Sequence, residues 1–301
     1  MAETFGKADM EDCVIIGGGP AGLTAALYLA RFLRRVTVFD AGEGRARMIP
    51  TTHNFAPFPE GISGKDLIER MRAHATRYGA TVEHATVRSV DRQGDTFHVT
   101  TDRRTETARY VIFASGVVNH RPPLSTSDHD RGVEDGLIRY CPVCDAYEIR
   151  DKRVAVLGSG AHGLAEARFI RDYSPTVTLI PPDGAPANAR DGIAALNAPM
   201  KGLSLSASQV VVTLETDEVH HFDTLYVALG TSAQSDLAAS LGVRLGEDGC
   251  IVGDAGRKTN IDRVYAIGDI TDGLDQIAHA MGQAAVATTA IHNALPAKAD
   301  G

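Results

Sequence analysis

Cys13-Val-Ile-Ile-Gly-Gly-Gly-Pro-Ala-Gly22 runs from an apolar strand into a glycine loop, and Leu23 to Leu33 continue it as an apolar helix. Arg35-Val-Thr-Val-Phe-Asp40 then reads as a second strand that ends in an acid. The pattern is a βαβ unit with G-x-G-x-x-G at Gly17, Gly19 and Gly22. Asp40 lies about 20 residues on, where a ribose hydroxyl needs an acceptor. Gly17 permits the tight turn, Gly19 lets the backbone approach a pyrophosphate, and Gly22 allows close helix packing, while the helix start offers free N–H groups to the anion. A lone glycine fingerprint also fits a simple tight βα turn; strand, helix and distal acid together select the dinucleotide reading.

The same architecture returns later. Lys152 to Leu157 reads as a strand, Gly158, Gly160 and Gly163 as its loop, and the following helix carries Glu166 before Thr176-Val-Thr-Leu-Ile180. Between the two units, Thr81 to Val90 and Thr96 to Thr101 read as short strands, and Arg109-Tyr-Val-Ile-Phe-Ala-Ser-Gly116 as a buried strand ending at glycine. That ending recurs at Thr224-Leu-Tyr-Val-Ala-Leu-Gly230, so the chain repeats one architecture. The fold class expected is α/β with two Rossmann-like dinucleotide-binding domains. A third strand-loop signal, Arg263-Val-Tyr-Ala-Ile-Gly-Asp-Ile270, precedes a helix from about Gln276 through Ile291. Asp269 there either holds cofactor hydroxyls or caps a helix, and both readings stand.

Cys141-Pro142-Val143-Cys144-Asp145 sits shortly before the second glycine loop. Its placement suggests a dithiol delivered to a flavin, since thiols at this spacing close a disulfide on one helical turn and a thiolate is favoured by its surroundings. Half a zinc site and a plain structural disulfide are the alternatives; zinc needs three or four ligands, and Cys13 and Cys250 are distant and lie in apolar strand-like runs. No metal is expected. The 301 residues suffice for two compact domains, and 44% hydrophobic with 23% charged residues is ordinary for a globular protein. Met1 to Glu11 shows no signal pattern and no window approaches the roughly 18 apolar residues of a membrane span, so the reading is cytoplasmic, with no membrane partner. A net charge of -8 argues against a generic nucleic-acid surface.

In order, Gly17-Gly-Gly-Pro-Ala-Gly22, His53-Asn54-Phe55 leading to Gly61-Ile-Ser-Gly-Lys-Asp-Leu67, the Cys-Pro-Val-Cys-Asp block, and Ile267-Gly-Asp-Ile with Asp275-Gln276-Ile277 resemble low-molecular-weight, bacterial-type thioredoxin reductases and their relatives along nearly the whole chain. The resemblance implies three-layer ββα domains, the second inserted into the first: an FAD-binding domain at residues 1–117 and 246–301, and an NAD(P)H-binding-like domain at 118–245 that carries the dithiol. It also implies that Gly17, Gly19, Pro20, Ala21, Gly22 and Asp40 bind the adenosine half of FAD. Asn54 would approach the flavin ring, and Ala114, Gly116 and Gly268 would be further cofactor-binding residues. Asp269 would lie at the ribityl-pyrophosphate region, and Gln276 with Ile277 would present N–H groups to the ring's pyrimidine edge, where a positive helix end meets negative charge. His279, three residues on, is a further candidate to face the ring, or a structural histidine. By the same resemblance Cys144 faces the flavin, Cys141 is released as the thiolate that attacks a partner disulfide, and Asp145 supplies or takes the proton. Asp145 also has the simpler reading of a turn or N-cap residue. A homodimer is implied as well.

The second loop departs from that family. Ala161 and His162 stand where Asp and Ser are usual, and the next strand ends Leu179-Ile-Pro-Pro-Asp-Gly184, with Asp183 and no adjacent cation where NADPH-using members carry a His-Arg-Arg cluster. Two missing charge-assisted contacts of roughly 1.5 to 3 kcal/mol each weaken NADPH by about a hundredfold to ten-thousandfold. Arg190 is the nearest compensating cation, in a loop stiffened by Pro181, Pro182 and Pro186. NADH, NADPH or no nicotinamide therefore stay open. The leading expectation is an FAD-dependent reductase of thioredoxin or a thioredoxin-like disulfide, with NADH, NADPH or ferredoxin as donor. The others are a flavin-dependent oxidase of small-molecule dithiols that uses oxygen, and an FAD-binding redox sensor. Oxidases of that type often carry His after the second cysteine, and Asp145 leans toward the reductase.

Overall fold

The structure, a computed structural model, describes residues 10–185 and 192–297. The described residues form two compact units: one drawn from Met1–Arg47, Gly64–Val118 and Ser232–Gly301, the other from Met48–Ser63 and Asn119–Thr231.

In the first unit, β1 (Glu11–Ile16), α1 (Pro20–Arg31) and β2 (Val36–Asp40) form the βαβ unit, α2 (Gly64–Arg77) leads to β3 (Thr81–His84), and β4 (Val87–Gln93), β5 (Thr96–Thr101) and β6 (Thr105–Phe113) form a meander. β3, β2, β1 and β6 run parallel in that order, and β5 and β4 continue antiparallel. Strand alternation assigns the core. Cys13 and Ile15 join the alanines of α1 on one face, while Val14 and Ile16 join Val87, Val90, Phe97 and Val99 of the meander on the other. The stretch Thr81–Val90 breaks into two strands, because Ala85 N–H still follows Asp40 O whereas the Asp102 carboxylate takes the N–H of Thr86 and turns the chain.

The chain passes between the units in β7 (Val117–Asn119), then makes α3 (Thr126–Glu134), β8 (Ile138–Arg139), α4 (Pro142–Asp145), β9 (Arg153–Leu157), α5 (Gly160–Arg171), β10 (Thr176–Ile180) and β11 (Ile193–Ala195). An antiparallel meander, β12 (Met200–Leu205), β13 (Val210–Leu214) and β14 (Val219–Phe222), precedes β15 (Thr224–Val227). The parallel sheet runs β11-β10-β9-β15-β8. Ala155 and Leu157 face Val210, Val212 and Leu214 of this meander, and Val154 and Val156 face Ala167 and Ile170 of α5. Each unit is thus a meander, a parallel sheet and a helical layer, the repeated α/β architecture expected from sequence.

β16 (Thr231–Ala233) pairs with β7, and α6 (Asp236–Ser240), β17 (Val264–Ala266) and α7 (Ile277–Ala294) complete the first unit. β6 shares one edge: its first half pairs with antiparallel β5 and its second half with parallel β17. Ser232–Gly301 belong to the first unit, where Leu237, Ala238, Leu241, Val243 and Leu245 pack with Val90 and Phe97. Met48–Ser63 group with the second unit.

Candidate nucleotide and redox sites

In the first unit, the β1–α1 turn is built from bare backbone. Gly17 has φ +112°, its N–H donates to Phe39 O at 2.8 Å, and a Cβ there would lie 2.3 Å from Ala114 O. A Cβ on Gly22 would lie 1.9 Å from Gly17 O, so the helix can sit on the turn only at a glycine. Gly19 is different: it is the N-cap of α1, no side chain caps the helix, and nothing lies within 4 Å of where its Cβ would be. Pro20 and Ala21 follow in the first turn. Asp40 is buried at the end of β2; one oxygen accepts from Gly42 N–H at 3.1 Å and the other from Arg72 at 2.8 Å.

The last strand of this unit arrives at the same turn. A Cβ on Gly268 would be 2.9 Å from the Ala21 methyl and 3.9 Å from that of Ala280, so the end of β17 meets the starts of α1 and α7. Gly268 N–H donates to Gln283 Oε1 at 2.6 Å, and Gln283 in turn meets the His279 ring at 2.6 Å, which engages that histidine inside its own helix. Asp269 pairs with Arg45 at 3.3 Å, and Arg45 also reaches Asp275 at 2.7 Å. Burial, with Asp275 adding to it, holds the Asp269 carboxyl above the usual range against the pull of Arg45. Gln276 is the N-cap of α7 and Ile277 its first residue, again without a side-chain cap. Ala114 is buried, and Gly116 has φ +68° with nothing within 4 Å of where its Cβ would be. Uncapped helix starts, an open backbone cradle at Gly19 and an acid beneath it suit the diphosphate and ribose of a dinucleotide such as FAD.

The second unit repeats the turn. A Cβ on Gly158 would lie 2.7 Å from Ala228 O and one on Gly163 2.7 Å from Gly158 C, while Gly160 has φ +62° and open space. Glu166 points inward from α5: its Oε2 is buried without a hydrogen-bond partner among the described residues, His162 lies 3.4 Å from Oε1, and burial pushes the carboxyl up to about 7. At the end of β10, Asp183 accepts from Ala185 N–H at 3.1 Å, turning its carboxylate onto its own loop. Pro186 and Arg190 lie outside the described residues.

Cys141 and Cys144 are joined as a disulfide, with Cα atoms 5.2 Å apart. Cys141 is the N-cap of α4 and accepts from Cys144 N–H at 2.9 Å, so one turn of helix carries both sulfurs. Among the described residues no cluster of His, Cys, Asp and Glu is placed to hold a metal ion. Asn54 lies in this unit, accepts from Thr52 at 2.9 Å and donates to Val143 O at 3.4 Å, next to the disulfide loop. The Asp145 carboxyl accepts from Arg139 at 2.6 Å and from the Tyr226 hydroxyl at 2.7 Å. Burial raises its pKa, outweighing Arg139 and Tyr226, and Glu148 adds to the rise.

Sequence reasoning passed over Arg139, Tyr226, Arg45, Arg72 and the fully buried His129, whose ring contacts Tyr140 Oη at 2.6 Å and Asp130 at 2.9 Å. The available signal was Tyr226 itself: a tyrosine inside an apolar buried strand needs a partner for its hydroxyl.

A family model for pyridine nucleotide-disulphide oxidoreductases matches residues 11–284. The thioredoxin reductase of Streptomyces clavuligerus is 31% identical over 294 residues, covering 88% of this chain and 87% of that protein. Among solved structures, the thioredoxin reductase from Streptococcus pyogenes MGAS5005 aligns with TM-score 0.86 at 25% identity, over 95% of this chain and 98% of its own. T. acidophilum thioredoxin reductase is 29% identical with TM-score 0.63, over 95% and 98%. No helix among the described residues is long and apolar enough to cross a membrane.

Proposed function

The chain belongs to the pyridine nucleotide-disulphide oxidoreductase family and is an oxidoreductase similar to thioredoxin reductases, and we propose that it passes electron pairs between an FAD and the Cys141–Cys144 disulfide and on to a protein disulfide such as thioredoxin. The observation that carries this reading is the closed disulfide on a single helical turn, followed at once by the half-buried carboxyl of Asp145, which Arg139 and Tyr226 hold. FAD, when bound, supplies the two-electron chemistry that matches a dithiol.

Gly17, Gly19, Pro20, Ala21 and Gly22 receive the diphosphate, Asp40 the ribose, and Asp269 with Gly268 the polar chain beyond it. Ala114 and Gly116 line the approach, and Gln276 and Ile277 offer N–H groups to the ring edge. Cys144 is the sulfur on the flavin side, Asn54 steadies the loop through Val143 O, and Cys141 is the thiolate that attacks the partner. Asp145 gives a proton to the leaving sulfur when the disulfide opens and recovers it when the disulfide closes.

The second glycine loop, with Gly158, Gly160, Gly163 and Glu166, is read as a nicotinamide site that disfavours NADPH, because residues 179–189 contain no Lys or Arg and Asp183 would repel a 2′-phosphate. That same loop supports a second reading, a dithiol oxidase reduced by its small-molecule substrate and reoxidised by oxygen. The protein is further read as a cytoplasmic homodimer with neither membrane nor nucleic acid among its partners. The test is anaerobic mixing of the flavin-loaded protein with NADH, then with NADPH, while the visible flavin band is followed. Bleaching by NADH in preference to NADPH is expected. If neither bleaches a flavin that dithionite still reduces, while a small dithiol bleaches it and is then oxidised catalytically in air, the reductase reading fails and the oxidase reading takes its place.

A further inference from the structure

Arg139 and Tyr226 are directly paired residues of the adjacent parallel strands β8 and β15. Both reach the same side chain: Arg139 Nη1 donates to Asp145 Oδ2 at 2.6 Å, and Tyr226 Oη donates to Oδ1 at 2.7 Å. Tyr226 is wholly buried, with Ala146, Ile149, Val154 and Val156 in the same core cluster, and its hydroxyl finds its partner in Asp145. The Arg139 side chain is 14% exposed, and its Nε has no hydrogen-bond partner among the described residues. Glu148, on the turn after α4, is a further charged group acting on Asp145 and carries a buried oxygen with no hydrogen-bond partner among the described residues.

We infer that Arg139 and Tyr226 are positioning residues for the proton that accompanies opening and closing of the Cys141–Cys144 disulfide, each holding one oxygen of Asp145. The inference rests on Asp145 being the proton donor of the proposed function. In the opening direction two electrons, which a bound reduced flavin would supply, break the S–S bond. One sulfur is left as a thiolate and the other takes the proton from Asp145, whose new carboxylate is met by the guanidinium and the phenol. In the closing direction the electron pair goes to the partner disulfide and the carboxylate takes the proton back. With both oxygens held, the carboxyl cannot swing away from the helical turn that bears the cysteines. The two donors also favour the charged form against the burial that opposes it, which sets the pH range of the transfer.

The test uses the flavin-loaded protein reduced anaerobically with excess dithiothreitol that is then removed, so that flavin and dithiol both hold their electron pairs and the thiols stay open. The alkylation rates of Cys141 and Cys144 by iodoacetamide are read by peptide mass across the pH range. Wild type is expected to show an inflection beyond thiol ionisation, absent in Asp145→Asn. Tyr226→Phe moves that inflection up by about half to one pH unit, Arg139→Met by about one to two, and Arg139→Lys recovers part of the loss. Tyr226→Phe keeps the ring volume in the core, so a folded variant is in hand even where Arg139→Met fails to fold. An inflection that stays in place in Tyr226→Phe, with rates lowered equally at every pH, overturns the inference and leaves the two residues as anchors of α4. Because dithiothreitol supplies the electrons, the profile is independent of the flavin relay. Failure of the relay itself shows separately, as a disulfide that stays closed when the flavin is reduced.

Discussion

Gly19 and Gly22 sit three positions apart in one loop and are glycine for different reasons. At Gly22 a methyl group would overlap Gly17 O at 1.9 Å, a clash with backbone that no rotamer relieves. Gly22→Ala is therefore expected to cost about 1–3 kcal/mol or more through forced backbone shifts, read as a lower melting temperature of the apoprotein. At Gly19 the methyl meets nothing within 4 Å, and the backbone is in an ordinary extended conformation. Gly19→Ala should cost the apoprotein about 1 kcal/mol or less, while flavin content after purification falls because the space it fills is the approach of the diphosphate. Equal loss of flavin and stability in both variants would reject this division of roles. The glycines were legible because their spacing is local. Most side chains that tie Asp40, Asp269 and Asp145 were not: Arg72 is 32 positions from Asp40, Arg45 224 from Asp269, and Tyr226 81 from Asp145, distances over which no local pattern operates, while Arg139, six positions from Asp145, lies on a different element.

At the scale of the element, legibility followed burial. β1, β6, β9 and β15 are apolar runs covered on both sides, and sequence periodicity finds such strands directly. α3 was missed, since Pro122 to Gly136 reads as polar; only Ser125, which accepts from Asp128 N–H at 3.1 Å as its N-cap, marked a helix start. α5 was found from its glycines, but the burial of its acid was not. Glu166 lies inward there with its carboxyl pushed up to about 7 by burial alone. The folded pKa lies above the ordinary value of 4.5, so the folded chain binds that proton more tightly than the unfolded one. The stability this contributes is complete below the unfolded pKa and is lost as pH rises through the folded one. Wild type should therefore lose on the order of 1–3 kcal/mol between about pH 5 and pH 8 from this group, whereas Glu166→Gln loses none of it. Urea midpoints of both proteins across that range check the sign; parallel curves would show that Glu166 is solvated in solution.

The whole chain carries four cysteines, and their surroundings divide them by reactivity. Cys13 is fully buried in β1, and burial holds its thiol well above the usual range. Cys250 is pushed up to about 12 by burial and the neighbouring Asp248 carboxylate. At neutral pH a thiol of that pKa holds only about one part in a hundred thousand as thiolate, the form that reacts. The sulfur chemistry of the molecule is thereby concentrated in the pair that closes on α4. Its electron capacity should show this directly. Anaerobic dithionite titration of the flavin-loaded wild type is expected to consume a second electron pair after the pair that fills the flavin, and native thiol labelling should rise by the Cys141 and Cys144 thiols together. Cys141→Ser and Cys144→Ser should each lose the second pair while keeping the first, with Cys13 and Cys250 unlabelled throughout. A serine variant that still accepts the second pair, or Cys250 labelled as fast as the reduced dithiol, would place the redox-active sulfur elsewhere and remove the basis for a relay through Cys141 and Cys144.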